Sequence, residues 1–227
     1  MTSYDTVLFD SDGVLVDPPS YETKVEAVQS AFEEVGVTRA EKRHVDAIVN
    51  GTTVEGLHEI CAAYDLDTDL FWEARERHDE QSQFEKFEAG SRSCYDDVTA
   101  ISGLSQRCGV VSNNHRSTIE FVLDFFDLES AFETYYGREK TVESLDLKKP
   151  NTHYLDRALT ELGGESALYI GDSESDVIAA HRAGVDSVFV SRPHCRDTDL
   201  SVTPTYETDS LHGVAKIANG DGRAYRK

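Results

Sequence analysis

The sequence predicts an α/β protein: a parallel sheet covered by helices on both faces, with an all-helical domain inserted after the first strand. Three observations carry this expectation. From about residue 97 onward, short apolar runs alternate with helical periodicity, the pattern of strand–helix–strand units whose sheet is parallel. Residues 18–90 show helical spacing and capping signals but no strand signal. Several strand runs end in polar residues, and in parallel sheets ligands bind beyond the carboxyl ends of the strands.

Taken in order, Thr6-Val7-Leu8-Phe9 is a short apolar run that enters Asp10-Ser11-Asp12-Gly13, so it reads as a buried strand ending in a turn. Pro18-Pro19-Ser20 then starts a helix. Val25, Val28, Phe32 and Val35 recur on one face of it, and Gly36 closes it. Thr38 with Glu41, and Thr52 with Glu55, are capping-box signatures for two further helices. A fourth is expected from Asp69 to Glu88, with Gly90 beyond. Alternation resumes with a helix at 97–105 and a strand at Cys108–Val111 that ends in Ser112-Asn113-Asn114. A helix at 115–126, a weaker strand at 132–136 and a helix capped by Asn151 follow. Next come the strand Ala167–Ile170 ending in Gly171-Asp172, a helix from Asp176, and a strand at 187–190. A short strand near Tyr206 and a helix at 210–218 complete the pattern, and the polar tail from Asn219 is expected to fray. The expected domains are 1–17 with 91–227 for the α/β part and 18–90 for the helices.

Composition narrows the function. The 227 residues carry 43 acidic and 22 basic side chains, a formal net charge of -21. Such a surface repels nucleic-acid phosphates and anionic membranes, so neither is an expected partner. Dispersed acids with few lysines and one methionine resemble proteins of salt-loving organisms, in which salt screens the self-repulsion. No apolar run is long enough for a membrane helix, and acids lie too early for a signal peptide, so a cytoplasmic protein is expected. The four cysteines stand apart without a Cys-x-x-Cys pair, which argues against a zinc framework or disulfides.

The chemistry-bearing residues at the strand ends are Asp10, Asp12, Ser112, Asn113, Asp172 and Asp176, with Lys149 beside them. Asp10 and Asp12 are two apart in an extended chain, so both can face one site. Carboxylates that close repel unless a cation lies between them or one holds a proton. The set therefore asks for a metal, for an acid beside a base, or for both. Asp10 and Asp172 can share a hard cation such as Mg²⁺. Ser112 and Lys149 can bind phosphate oxygens, and such an arrangement would let Asp10 attack phosphorus and Asp12 move protons.

Asp10-Ser11-Asp12-Gly13-Val14-Leu15 resembles the first motif of the haloacid dehalogenase-like (HAD) superfamily. Ser112-Asn113 is similar to its second motif and Lys149-Pro150 to its third. Gly171-Asp172-Ser173-Glu174-Ser175-Asp176 resembles its fourth. The helical insert resembles the cap of the subgroup that includes phosphoglycolate phosphatase and β-phosphoglucomutase. The resemblance implies a Rossmann-like core and a Mg²⁺-dependent phosphatase of a small phosphorylated metabolite, such as phosphoglycolate or a sugar phosphate. It implies Asp10 as nucleophile and metal ligand, and Asp12 as general acid/base whose carbonyl also reaches the metal. It further implies Asp172 and Asp176 at the metal, and Ser112, Asn113 and Lys149 on the phosphate. Dehalogenases of the family lack the second aspartate of the first motif, so Asp12 favours phosphoryl transfer.

Three departures stand out, none in a motif carboxylate. Asp96-Asp97-Val98 occupies a position where relatives often have Pro-Gly-Val. Asn151 follows Pro150 where many carry a second proline, and Lys148 neighbours Lys149. Two rivals to the phosphatase are a sugar phosphomutase on the same core and a receiver-like module that accepts a phosphoryl group and binds a partner. The helical insert has no place in the latter. A monomer or homodimer is expected.

Overall fold

A computed structural model describes residues 4–227. The chain divides into two compact units. One holds the chain up to Asp17, Ser93–Gly137 and Lys148–Lys227; the other holds Pro18–Arg92 and Arg138–Leu147.

The first unit is the α/β layer. Strand β1 (Thr6–Phe9) lies inside a six-stranded sheet with β2 (Arg107–His115), β3 (Thr134–Arg138), β4 (Ala167–Gly171), β5 (Asp186–Val190) and β6 (Tyr206–Thr208). The order is β3-β2-β1-β4-β5-β6. β1 is parallel to β2 and β4 on its two sides, with Phe9 opposite Val110 and Ile170, and β4–β5 and β5–β6 are also parallel. Val7, Leu8, Phe9, Leu168 and Ile170 are fully buried, as expected of central strands with both faces covered.

The second unit contains α1 (Tyr21–Glu34), α2 (Lys42–Val49), α3 (Val54–Ala62) and α4 (Thr68–Glu88). Its apolar core is built from Val28, Phe32, Ile48, Leu57, Phe71 and Trp72. Two caps differ in detail from expectation. Glu41 is the N-cap of α2 without a side-chain cap bond, so Thr38 forms no capping box there. Thr53 rather than Thr52 caps α3, its hydroxyl accepting from the Gly56 amide.

The segment 138–147 belongs with these helices, whereas the expected boundaries placed it in the α/β part. Burial explains the grouping. Val142 and Leu145 enter the helical core, and Arg138 donates to Glu76 of α4. That pair spans 62 residues of sequence, which local periodicity does not register.

In the α/β unit the helices are α5 (Arg116–Phe125), α6 (His153–Leu162), α7 (Glu174–Ala183) and α8 (Leu211–Lys216). The helix expected at 97–105 is a 3₁₀ segment, Asp96–Gly103. Thr152 occupies the N-cap of α6, while Asn151 accepts from the His153 amide. The tail does not fray. It forms a 3₁₀ turn at Gly222–Tyr225, a bridge from Arg226 to Tyr206, and a Lys227–Glu207 ion pair. Among the described residues no helix is long and apolar enough to cross a membrane.

Candidate active site

The site is built at the carboxyl ends of β1, β2 and β4. Register fixes the levels: Asp10 directly follows Phe9, whose partners are Val110 and Ile170, so the strand ends emerge side by side. The Asp10 amide donates to the Ile170 carbonyl at 2.8 Å, which holds this carboxylate at the sheet's edge. The chain then turns at Gly13, whose φ of +78° belongs to the left-handed region. A β-carbon there would lie 1.9 Å from Asp172 Oδ2, so only glycine lets the first turn approach the β4 end.

Lys149 is the centre of the arrangement. Its ammonium lies 2.8 Å from Asp10 Oδ2 and 2.7 Å from Asp176 Oδ1, with its side chain only 3% exposed. It also donates to the Tyr169 hydroxyl at 2.7 Å and to the Val111 carbonyl at 3.3 Å. Of the adjacent lysines 148 and 149, the second therefore points inward. Asn113 fixes its backbone from both sides. The Lys149 amide donates to Asn113 Oδ1 at 2.7 Å, and Asn113 Nδ2 donates to the Lys149 carbonyl at 3.3 Å. On sequence grounds Asn113 is expected on phosphate; here its side chain tethers the lysine.

The aspartates divide into two environments. Asp10, Asp172 and Asp176 bring carboxylate oxygens within 4.8 Å of one another. Asp176 also closes the start of α7, accepting from the Ser173 amide at 3.0 Å and the Ser173 hydroxyl at 2.6 Å. Asp12 lies apart from that group, and its Oδ2 accepts from Asn114 Nδ2 at 2.8 Å. Ser112 is buried at the end of β2, its hydroxyl accepting from the Asn114 amide at 3.3 Å.

Burial and charge set the proton affinities. Burial pushes the Asp10 carboxyl up to about 7; Lys149 opposes this, and the charges of Asp176 and Asp172 add to it. Burial likewise raises Asp172, against a hydrogen bond from His194. Burial works against the charge of Lys149, yet the flanking Asp10 and Asp176 carry its pKa well above the ordinary value. It is a permanent cation.

Mg²⁺ fits this donor set. The three clustered carboxylates are hard oxygen ligands of the kind that ion takes. Burial and mutual repulsion disfavour charge on these carboxylates together, and a divalent cation among them would relieve both.

Three residues here escape sequence reasoning. Tyr169 sits inside β4, where it reads as one more core residue, yet its hydroxyl donates to the Val111 carbonyl at 2.8 Å and to Asp176 Oδ1 at 3.3 Å. Asn114 follows the second motif and holds Asp12. His194, in the loop after β5, lies 2.6 Å from Asp172. Its one available signal is that it too follows a strand's carboxyl end.

The family model for haloacid dehalogenase-like hydrolases matches residues 7–190. The chain belongs to that family. The relatives it matches include the pyrophosphatase PpaX of Bacillus cereus, 26% identical over 193 residues, covering 82% of this chain and 83% of PpaX. Among solved structures it resembles a predicted phosphoglycolate phosphatase from Haemophilus somnus (TM-score 0.65, 21% identity, 96% of this chain and 99% of that one). It also resembles the HAD-hydrolase YfnB from Bacillus subtilis bound to magnesium (TM-score 0.62, 19% identity, 96% and 100%). At these identities the structural likeness speaks for the fold: a Rossmann-like HAD core with a helical cap. A HAD hydrolase is an enzyme, which leaves a purely binding, receiver-like module without support.

Proposed function

We propose that the chain is a Mg²⁺-dependent phosphatase acting on a small phosphorylated metabolite through an aspartyl-phosphate on Asp10. The observation that carries this is Asp10 paired with a buried lysine at the carboxyl end of β1, with Asp12 two residues on and fixed by the Asn114 side chain. A nucleophile must be held and aimed, and a proton carrier must stand beside it, and two carboxylates two residues apart at one strand end meet both needs. The curated relative is a pyrophosphatase, and a structural relative bears the name of phosphoglycolate phosphatase. These names support phosphoric monoesters and anhydrides of small molecules as the substrate class.

In this reading Lys149 opposes the burial that raises Asp10 and keeps its carboxylate aimed. An Asp10 oxygen forms the bond to phosphorus as the bond to the leaving oxygen breaks. Asp12 gives its proton to that oxygen. It then takes a proton from the water that cleaves the acyl-phosphate, and Asp10 returns to its starting state. Ser112 donates to a phosphoryl oxygen. Asp10, Asp172, Asp176 and the Asp12 carbonyl would hold Mg²⁺, which when bound neutralises charge on the transferring group. Asn113 and Tyr169 touch no substrate in this scheme; they fix Lys149. The helical unit would act as the cap, and the net charge of -21 supports a chain that folds best in salt.

The test is phosphate release from pyrophosphate, phosphoglycolate and sugar phosphates, with and without Mg²⁺, for the wild type and Asp10→Asn. Mg²⁺-dependent release that Asp10→Asn abolishes is expected. Full activity in Asp10→Asn would refute the covalent route. Isomerised sugar phosphate in place of free phosphate would make the enzyme a mutase.

A further inference from the structure

The loop that follows β5 brings a second kind of ligand to Asp172. His194 Nε2 lies 2.6 Å from Asp172 Oδ2, and the His194 side chain is 29% exposed. Cys195, next in the chain, is buried, its sulfur against the Val190 and Arg192 carbonyls. One ligand atom from each of Asp172, His194 and Cys195 lies within 4.8 Å of the others. The turn that achieves this is fixed. The Cys195 amide donates to the Arg192 carbonyl at 3.0 Å, and the Arg192 guanidinium is anchored on Asp97.

The two donor groups that share Asp172 differ in kind. Asp10, Asp172 and Asp176 offer oxygen alone, the set for a hard cation. Asp172, His194 and Cys195 offer one oxygen, one imidazole nitrogen and one sulfur. Thiolate and imidazole select borderline ions such as Zn²⁺ and Co²⁺ over Mg²⁺. From Zn–N and Zn–S lengths, tetrahedral ligands stand roughly 3.3–3.8 Å apart. The His194–Asp172 contact would need to open by roughly 1 Å to admit the ion, a small movement for a partly exposed side chain in a loop.

We propose that Asp172, His194 and Cys195 form a second metal position, selective for Zn²⁺-class ions, which borrows Asp172 from the Mg²⁺ group. On binding, the hydrogen on His194 Nε2 moves to Nδ1, the thiol proton of Cys195 leaves to water, and solvent fills the fourth position. The other reading of Cys195 is a core thiol: it packs with Val177 and Phe189, and its sulfur lies 3.4 Å from the Val190 carbonyl. Spectroscopy separates the two, because only thiolate ligation gives a sulfur-to-metal band. This inference does not depend on the phosphatase activity.

The experiment titrates the reduced, metal-free full chain with Co²⁺ and reads its absorption spectrum. The expected result is one thiolate-to-cobalt charge-transfer band per chain, bleached by one equivalent of Zn²⁺ and present in Asp10→Asn. Cys195→Ser should lose the band. His194→Asn, changed at a partly exposed side chain, should keep the fold by circular dichroism and weaken Co²⁺ binding roughly tenfold or more. No band in the wild type would overturn the proposal. So would a band that survives Cys195→Ser, which would assign it to Cys61, Cys94 or Cys108, or undiminished binding by His194→Asn.

Discussion

Lys149→Met removes the buried cation while keeping an unbranched side chain one atom shorter, and its effect can be worked from the two contacts it breaks. The ammonium lies 2.8 Å from Asp10 and 2.7 Å from Asp176. At an effective dielectric of 20 each pair is worth about 6 kcal/mol before desolvation. Burying the ammonium returns much of that, so the net loss on breaking such a pair is about 3–5 kcal/mol, most of it from carboxylates left uncompensated. The penalty depends on pH with a definite sign. Asp10 is raised from 3.8 to about 7 in the fold, so the native state holds a proton that the unfolded chain releases. That contribution is present at low pH and is lost as pH climbs toward 7. Without Lys149 the folded value rises further, so the loss continues to higher pH. The gap between wild type and variant should therefore widen from about pH 5 to about pH 8. Mg²⁺ should stabilise the variant more than the wild type, because the same carboxylates then have no other cation. Urea unfolding at the two pH values, with and without Mg²⁺, measures all of this. A loss under about 1 kcal/mol, or a penalty larger in acid than in base, would refute the placement of Lys149 as the charge that holds this site together.

Three further outcomes follow from the same geometry. Tyr169→Phe should cost about 1–2 kcal/mol in urea unfolding and lower kcat more than KM, since the hydroxyl positions Lys149 without touching substrate; a change in KM alone would contradict that. Gly13→Ala should abolish Mg²⁺ binding by calorimetry, because its β-carbon would lie 1.9 Å from Asp172 Oδ2 and its φ is +78°; normal Mg²⁺ affinity would show that the turn relaxes freely. Raising salt from millimolar to molar should raise the melting temperature, as expected for a net charge of -21, and an unchanged midpoint would mean that self-repulsion is not limiting.

Much of the site was legible because its parts are local. Asp10, Asp12 and Gly13 are consecutive with a strand, and Gly171 and Asp172 end another, so apolar run and polar turn mark them together. The strand alternation likewise pointed to the parallel sheet. What stayed hidden depends on long-range contact. Tyr169 has the burial of a core residue, and only its hydroxyl's reach to Lys149, 20 residues earlier, gives it a role. The tail reads as polar and loose, but its Lys227 reaches Glu207 across β6. Capping signals located the starts of helices to within a few residues and misassigned the capping residue at α2, α3 and α6. Neighbouring polar residues compete for the same amides, and sequence does not rank them.

Asp97 shows how a residue outside the motifs still reaches the chemistry. It lies in the 3₁₀ segment Asp96–Gly103, outside all four motifs. Yet both its oxygens bind the Arg192 guanidinium, at 2.8 and 3.0 Å, and Oδ2 also accepts from the Leu211 amide at 2.8 Å. Burial opposes the charge of Asp97, but Arg192 and the Leu211 amide hold its pKa below the usual carboxylate value. Arg192 in turn donates to the Val14 carbonyl at 3.2 Å and lies over the Tyr95 ring. It thereby ties the turn of the first motif to the loop after β5. Two residues further along that loop, His194 meets Asp172, and Gly13 keeps the space in which they meet. Asp97, Arg192 and His194 thus form one connected piece of structure with Val14 of the first turn and Asp172 at the end of β4. A change at any one of them is therefore felt at the other two.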